Sequence, residues 1–170
     1  NSHITITGGE PLLFKDFEKI FLHASKRHSI NIVCNGTFLS KNFADLFLST
    51  KNFMALSISV DTVGNLNRDV KPEQYKKMKE TLNYFSQLRN KLNHNAVIDT
   101  KTTVIDETAK DLFEIYIHCK EDLKSDTHSF QFLKGSPIQH ADKEFQYEKI
   151  FEEPTPEVYK NINDIADQFD

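Results

Sequence analysis

The sequence predicts an α/β fold, a partial (β/α) barrel of parallel strands, and three observations carry that expectation. Five short strand-like runs alternate with longer stretches that are apolar on one side only, in units of roughly 25–40 residues, the pattern of repeated βα units. The strands alternate in polarity, whereas a doubly wound sheet buries both faces and reads as continuous Val/Ile/Leu. Glycine, amide and carboxylate residues gather where the strands end, which is where a barrel places its ligand.

The first run is Ile4-Thr5-Ile6-Thr7, and it stops on Gly8-Gly9-Glu10-Pro11. The two glycines allow positive φ and a close approach of the backbone to a small molecule. Pro11 bars a continuing ladder. Glu10 beside exposed carbonyls offers mainly acceptors, which suits a primary ammonium better than a phosphate; a plain turn with a solvated glutamate is the alternative reading. Phe14, Phe17, Ile20, Phe21 and Ala24 then form a helical stripe closing on Lys26-Arg27-His28, cations at the negative end of the dipole.

Ile30 to Cys34 is the second strand, ending at the turn pair Asn35-Gly36. Ser40 suits the N-cap of a helix carrying Phe43, Leu46 and Phe47. Ala55 to Asp61 is extended again, a polar loop runs to Val70, and Pro72 opens a long helix with Tyr75, Met78, Leu82, Phe85 and Leu88 on one face. Val97 to Ile105 is the fourth strand. Thr108 caps a helix with Leu112, Phe113, Ile115 and Tyr116 apolar, and Ser129 to Leu133 is the fifth strand, ending at Lys134-Gly135-Ser136-Pro137. Residues 138–153 show no clear period; Thr155-Pro156-Glu157 starts a last helix with Val158, Ile162, Ile165, Ala166 and Phe169 as its stripe.

Strand polarity sets Thr5 and Thr7 against Ile4 and Ile6; Ser57, Ser59 and Asp61 against Ile58 and Val60; Asp99, Lys101 and Thr103 against Ile98 and Val104; and Gln131 against Phe130 and Phe132. One face is expected to pack on helices and the other to line a polar cavity. Asp99 and Lys101 both fall on the cavity side, as substrate contacts or as an internal ion pair.

A net charge of −4, with Lys and Arg dispersed among Asp and Glu, leaves no basic groove for nucleic acid and no patch for an anionic membrane. No apolar run nears the ~20 residues of a membrane span, and a cytoplasmic location is the expectation. Cys34 and Cys119 are the only thiols and lack the spacing of a zinc or iron–sulfur site. Strand parity puts Cys34 with Ile30 and Ile32 on the helix side, as a packed core residue; a thiol-dependent enzyme with Cys34 at the mouth is a further reading. His118 and Cys119 read as structural.

Thr7-Gly8-Gly9-Glu10-Pro11-Leu12-Leu13 after a strand, Cys34-Asn35-Gly36-Thr37 after the next, Ser57-Ile58-Ser59-Val60-Asp61 in the third, and Arg68 in the following loop together resemble the radical S-adenosylmethionine (radical SAM) superfamily. The similarity runs from about Ile4 to Pro137. It implies that residues 1–137 are a partial barrel core, about five of the family's six βα units (its second to sixth strands), and that residues 138–170 are a connecting segment and C-terminal helix.

The resemblance further implies roles. Gly8, Gly9 and Glu10, with Pro11 fixing the turn, would receive the methionyl ammonium of S-adenosylmethionine; Asn35 and Gly36 would shape the pocket floor. Ser59 and Asp61 would face the methionyl carboxylate or ribose, and Arg68 would pair with the carboxylate. The whole protein would be an iron–sulfur oxidoreductase that cleaves S-adenosylmethionine reductively to a 5′-deoxyadenosyl radical, acting on a small-molecule or peptide substrate.

Two departures stand out: Cys34 replaces the threonine of many relatives, and the family's CxxxCxxC loop for a [4Fe–4S] cluster is missing. No cluster or other metal is therefore expected on this chain, no residue is assigned a catalytic role, and the chain alone is expected to be inactive. A non-catalytic binding or scaffold domain of the same fold is the alternative. The uncovered edge of the first strand predicts self-association or marginal stability.

Overall fold

The computed structural model describes residues 2–63, 70–104, 111–132 and 156–169. Five strands, β1 (His3–Ile6), β2 (Ser29–Cys34), β3 (Phe53–Ser59), β4 (Val97–Val104) and β5 (Thr127–Phe132), form one sheet in the order β1-β2-β3-β4-β5. Every neighbouring pair is parallel. The helices between them are α1 (Phe17–Ser25), α2 (Lys41–Leu48), α3 (Pro72–Leu92) and α4 (Leu112–Glu121), followed by α5 (Pro156–Phe169). Each crossover moves one strand along in the same direction. With crossovers of one hand, a sequential order keeps the helices on one face, which is the wall of a partial barrel and not a doubly wound sheet.

Local chemistry accounts for the ends of these elements. Glu10 caps a short 3₁₀ turn, Pro11–Leu13, by accepting from Leu12 N–H. Ser40 Oγ accepts from Phe43 N–H at 3.4 Å at the start of α2, the expected N-cap. Pro72 occupies the first turn of α3, where its missing N–H costs nothing, and Gln74 Oε1 accepts from Lys71 N–H. That helix ends on Asn93 in the left-handed conformation, φ 51°, one that asparagine tolerates better than most residues.

The helix-facing side of the sheet holds the main core. Ile30, Ile32, Leu56, Ile58 and Ile98 are fully buried there. Above them Phe17, Phe21, Phe47, Phe53 and Phe85 form a phenylalanine layer joining α1, α2, β3 and α3, with Phe47 and Phe53 stacked at 4.9 Å between centroids. Burying each contributes on the order of 2–3 kcal/mol. A shift in register opposite Ile30 and Asn31 pairs Ile30 with Phe53 and Asn31 with Ala55. This bulge at Met54 swings Phe53 out of the polar-face parity of β3 and into the phenylalanine layer, as bulges re-aim side chains.

The structure corrects the sequence reading in several places. Phe14 precedes α1 and is exposed, and Ile20 on that helix is exposed as well. The buried side of α1 is Phe17, Phe21 and Ser25. Phe113 and Ala166 also face solvent. The helix-facing side of β4 is not wholly apolar: Thr100 and Thr102 are fully buried between Ile98 and Val104. Thr100 Oγ1 bonds Ser125 Oγ at 2.9 Å and His128 Nδ1 at 2.7 Å, and Thr102 Oγ1 donates to the Val60 carbonyl at 2.6 Å. Burial there pushes the His128 imidazole down to about 4. The Thr108 cap and the Lys134-Gly135-Ser136-Pro137 turn lie outside the described residues.

Candidate functional site

The concave, polar side of the sheet is built in layers set by strand register. Val33, Ser57, Asp99 and Thr127 lie side by side; one step toward the strand ends come Ser59, Lys101 and Ser129; above these Thr103 pairs with Gln131. The first turn, Gly8-Gly9-Glu10, and the Asn35-Gly36 turn stand at the same ends of β1 and β2. Of the residues expected there, Gly8, Gly9, Glu10, Asn35, Gly36, Ser59 and Asp61 stand at the C-terminal ends of β1, β2 and β3.

Gly8 and Gly9 have φ of +100° and +43°, and nothing lies within 4 Å of where a Cβ would stand on either. Their left-handed backbone is accessible to glycine without strain, and both residues are exposed. Glu10 is half-buried and bridges two loops: Oε1 accepts from Leu12 N–H at 3.1 Å and Oε2 from Asn35 N–H at 2.9 Å. A carboxylate oxygen has two acceptor positions, so each retains one for a further donor. Asn35 closes its own turn by accepting from Thr37 N–H at 2.9 Å.

Gly36 has a packing role that the sequence did not show. It is buried at φ +76°, and a Cβ there would stand 2.8 Å from Met78 Sδ and 3.3 Å from Ile58 Cγ2. Close packing of the turn against α3 demands this glycine.

Asp61 ties β3 to β4, its Oδ1 accepting from Thr103 N–H at 2.8 Å. The Ser59 hydroxyl, half-buried on the concave side, has no hydrogen-bond partner among the described residues. Arg68 lies outside the described residues. Pro11 is buried beneath the first turn.

One layer down, Asp99 is held in a way the sequence only hinted at. Ser57 Oγ donates to Oδ2 and Thr127 Oγ1 to Oδ1, each at 2.8 Å, and Lys101 Nζ lies 3.6 Å from Oδ2. Polarity placed Asp99 and Lys101 inward. Nothing in the sequence marked Ser57 and Thr127 as the hydroxyls that solvate the carboxylate, because they join it across strands.

The cysteines offer no metal site. Cys34 is buried on the helix side; loss of solvent, then the charge of Glu10, pushes its thiol up to about 12 despite a hydrogen bond from the Gly36 backbone. Burial likewise pushes Cys119 up to about 11. Thiolate ligands for a cluster do not fit such positions, and no group of three or more metal-binding side chains occurs among the described residues. The same burial and raised pKa count against a thiol nucleophile at Cys34. His118 belongs to a link between α3 and α4, bonded to the Tyr75 hydroxyl and, at 3.0 Å, to Asp122, which also pairs with Lys79. No helix among the described residues is long and apolar enough to cross a membrane.

The sequence pattern of the radical SAM superfamily matches residues 2–119. No curated protein matches the sequence. Among solved structures the chain is similar to SuiB of Streptococcus suis, with TM-score 0.67 and 16% identity over 98% of this chain and 36% of that one. It is also similar to anSMEcpe with bound AdoMet, with TM-score 0.63 and 17% identity over 98% of this chain and 44% of that one. A further structure, anSMEcpe with bound AdoMet and a Cp18Cys peptide, has TM-score 0.63 and 16% identity over 98% of this chain and 46% of that one. The chain thus spans less than half the length of these structures.

Proposed function

Since this chain belongs to the radical SAM superfamily, we propose that it is the barrel core of an enzyme that binds S-adenosylmethionine at the C-terminal rim of the sheet. The observation that carries the reading is the first turn: two exposed left-handed glycines beside a carboxylate that keeps an acceptor position on each oxygen. Three N–H donors of a primary ammonium match such a cradle of acceptors.

The Gly8 and Gly9 carbonyls and Glu10 would hold the amino group, and Asn35 would close the pocket beside them. The unpartnered Ser59 hydroxyl would donate to the methionyl carboxylate, and Asp61 would accept from the ribose hydroxyls, with Arg68 as a further cation for the carboxylate. Bound S-adenosylmethionine, once reduced by one electron, supplies a hydrogen-abstracting radical. This chain's part is to bind and orient. Its two buried thiols do not fit a [4Fe–4S] cluster, so cluster ligands would come from other residues of the protein. The substrate would be a small molecule or peptide held inside the sheet, and the location cytoplasmic.

A non-catalytic scaffold of the same fold is the second reading. Glu10 and Asp61 favour it insofar as each already holds a backbone N–H of another strand end. Calorimetric titration with S-adenosylmethionine separates the two. The first reading expects measurable binding that falls at least about tenfold in Ser59→Ala and Glu10→Gln, the loss of one charged or well-placed hydrogen bond. Unchanged affinity in both variants, or no binding at all, leaves the scaffold.

A further inference from the structure

The concave face carries a cation, the Lys101 ammonium, that is ion-paired with Asp99 but makes no hydrogen bond among the described residues. Lys101 stands in the layer between the Asp99 carboxylate and the rim, flanked in register by Ser59 on β3 and Ser129 on β5. Its side chain is 29% exposed, and its ion-pair partner is Asp99, at 3.6 Å. That separation is beyond hydrogen-bond reach. Asp99 holds Lys101 as an ion-pair partner and not as a hydrogen-bond donor, each of its oxygens accepting a hydroxyl instead. Ser59 and Ser129, half-buried on either side, likewise have no hydrogen-bond partner among the described residues. An ammonium and two hydroxyls without hydrogen-bond partners among the described residues thus share one layer of the sheet's concave wall.

We propose that Lys101, with Ser129 beside it, recognises a carboxylate of the substrate. The assignment rests on the reading of the rim as the S-adenosylmethionine site: Ser59 then belongs to the cofactor, and Lys101 lies one strand further along, next to the position where a reacting substrate must be held. Charge decides between anions. Asp99 sits directly beneath, so the Lys101–Asp99 pair carries no net charge; a monoanionic carboxylate adds one negative charge beside Asp99, whereas a phosphate dianion adds two and is repelled more strongly. A monoanionic carboxylate, bonded by Nζ and a serine hydroxyl, fits.

The test uses two capped tripeptides, Ac-Gly-Glu-Gly-NH₂ and Ac-Gly-Gln-Gly-NH₂, which differ by one carboxylate. They are titrated into the isotope-labelled full chain and followed by NMR shifts, with inorganic phosphate as competitor. The glutamate peptide is expected to bind about tenfold or more tightly than the glutamine peptide, and the ratio should fall to near one in Lys101→Met. Lys101→Met/Asp99→Asn removes both charges together and serves where the single variant leaves Asp99 exposed to misfolding; it should show the same collapse. A ratio near one in the wild type, a ratio that survives in both variants, or stronger competition by phosphate than by acetate overturns the proposal. So does a fall in S-adenosylmethionine affinity in Lys101→Met, which would give the lysine to the cofactor. Failure of the wild type to bind S-adenosylmethionine, with the peptide ratio intact, sinks the cofactor reading and not the carboxylate layer.

Discussion

Replacing Glu10 by alanine removes two hydrogen-bond acceptors at once, and the structure says what each holds. Oε1 secures Leu12 N–H within the same turn, and Oε2 secures Asn35 N–H, 25 residues away and on the next strand end. A hydrogen bond to a charged group contributes about 1.5–3 kcal/mol when its loss leaves a donor unpaired. The site is half-buried, so water takes over part of that task, chiefly for the local Leu12 donor. Glu10→Ala is therefore expected to lower unfolding free energy by about 2–4 kcal/mol. Glu10→Gln keeps a carbonyl oxygen for one donor but turns an NH₂ toward the other, and about half that loss should follow.

Urea unfolding measures the total, and amide exchange locates it: the Asn35 amide should lose protection in both variants while the core amides of β3 keep theirs. Should Glu10→Ala unfold within 0.5 kcal/mol of the wild type with Asn35 exchange unaltered, the bridge does not hold the two turns together. The geometry proposed for the ammonium cradle would then lose its support.

Gly36→Ala should destabilise by about 2–3 kcal/mol, combining left-handed strain of roughly 1–2 kcal/mol with a clash that the flexible Met78 side chain partly relieves; loss of less than 0.5 kcal/mol in urea unfolding would refute the packing role. His128 should make stability pH-dependent. Its folded value of about 4 lies below the ordinary 6.5, so the unfolded chain binds more protons between these limits. Stability is then complete above about pH 6.5 and falls toward pH 4, by at most about 3 kcal/mol. The slope should flatten in His128→Gln, and an unchanged acid limb would count against it. Cys34 should react with iodoacetamide at least about a hundredfold more slowly than a free thiol at pH 7.5, because few of its thiols ionise; alkylation at the free-thiol rate would reopen the nucleophile reading. Among the described residues β1 is paired on one side alone, and this 170-residue chain is expected to form concentration-dependent dimers seen by light scattering; a strict monomer up to high concentration would refute this.

Element type and order were legible because they rest on local chemistry. Pro72, Ser40 and Asn35-Gly36 mark ends whatever lies around them, and alternation along β3 and β4 told the sheet's two faces apart. The rim site was legible to the same depth: parity put Ser59, Asp61, Asp99 and Lys101 on one side. Parity misled where the chain broke its own period. The bulge at Met54 turned Phe53 toward the helices, and Thr100 and Thr102 sit on the buried side because Ser125, His128 and the Val60 carbonyl supply them with partners.

Local pattern was enough to specify a one-directional βα array with a glycine-carboxylate turn at its first strand end. What that turn's carboxylate and its companions do follows from contacts between strands. Glu10 reaches Asn35, Asp61 reaches Thr103, and Ser57 and Thr127 satisfy Asp99, so that Lys101 is left with donors to offer. Such pairings depend on the register between neighbouring strands, a quantity set by the packing of the whole sheet against its helices, and hydrogen bonds between residues 25 to 42 apart leave no trace in any local pattern.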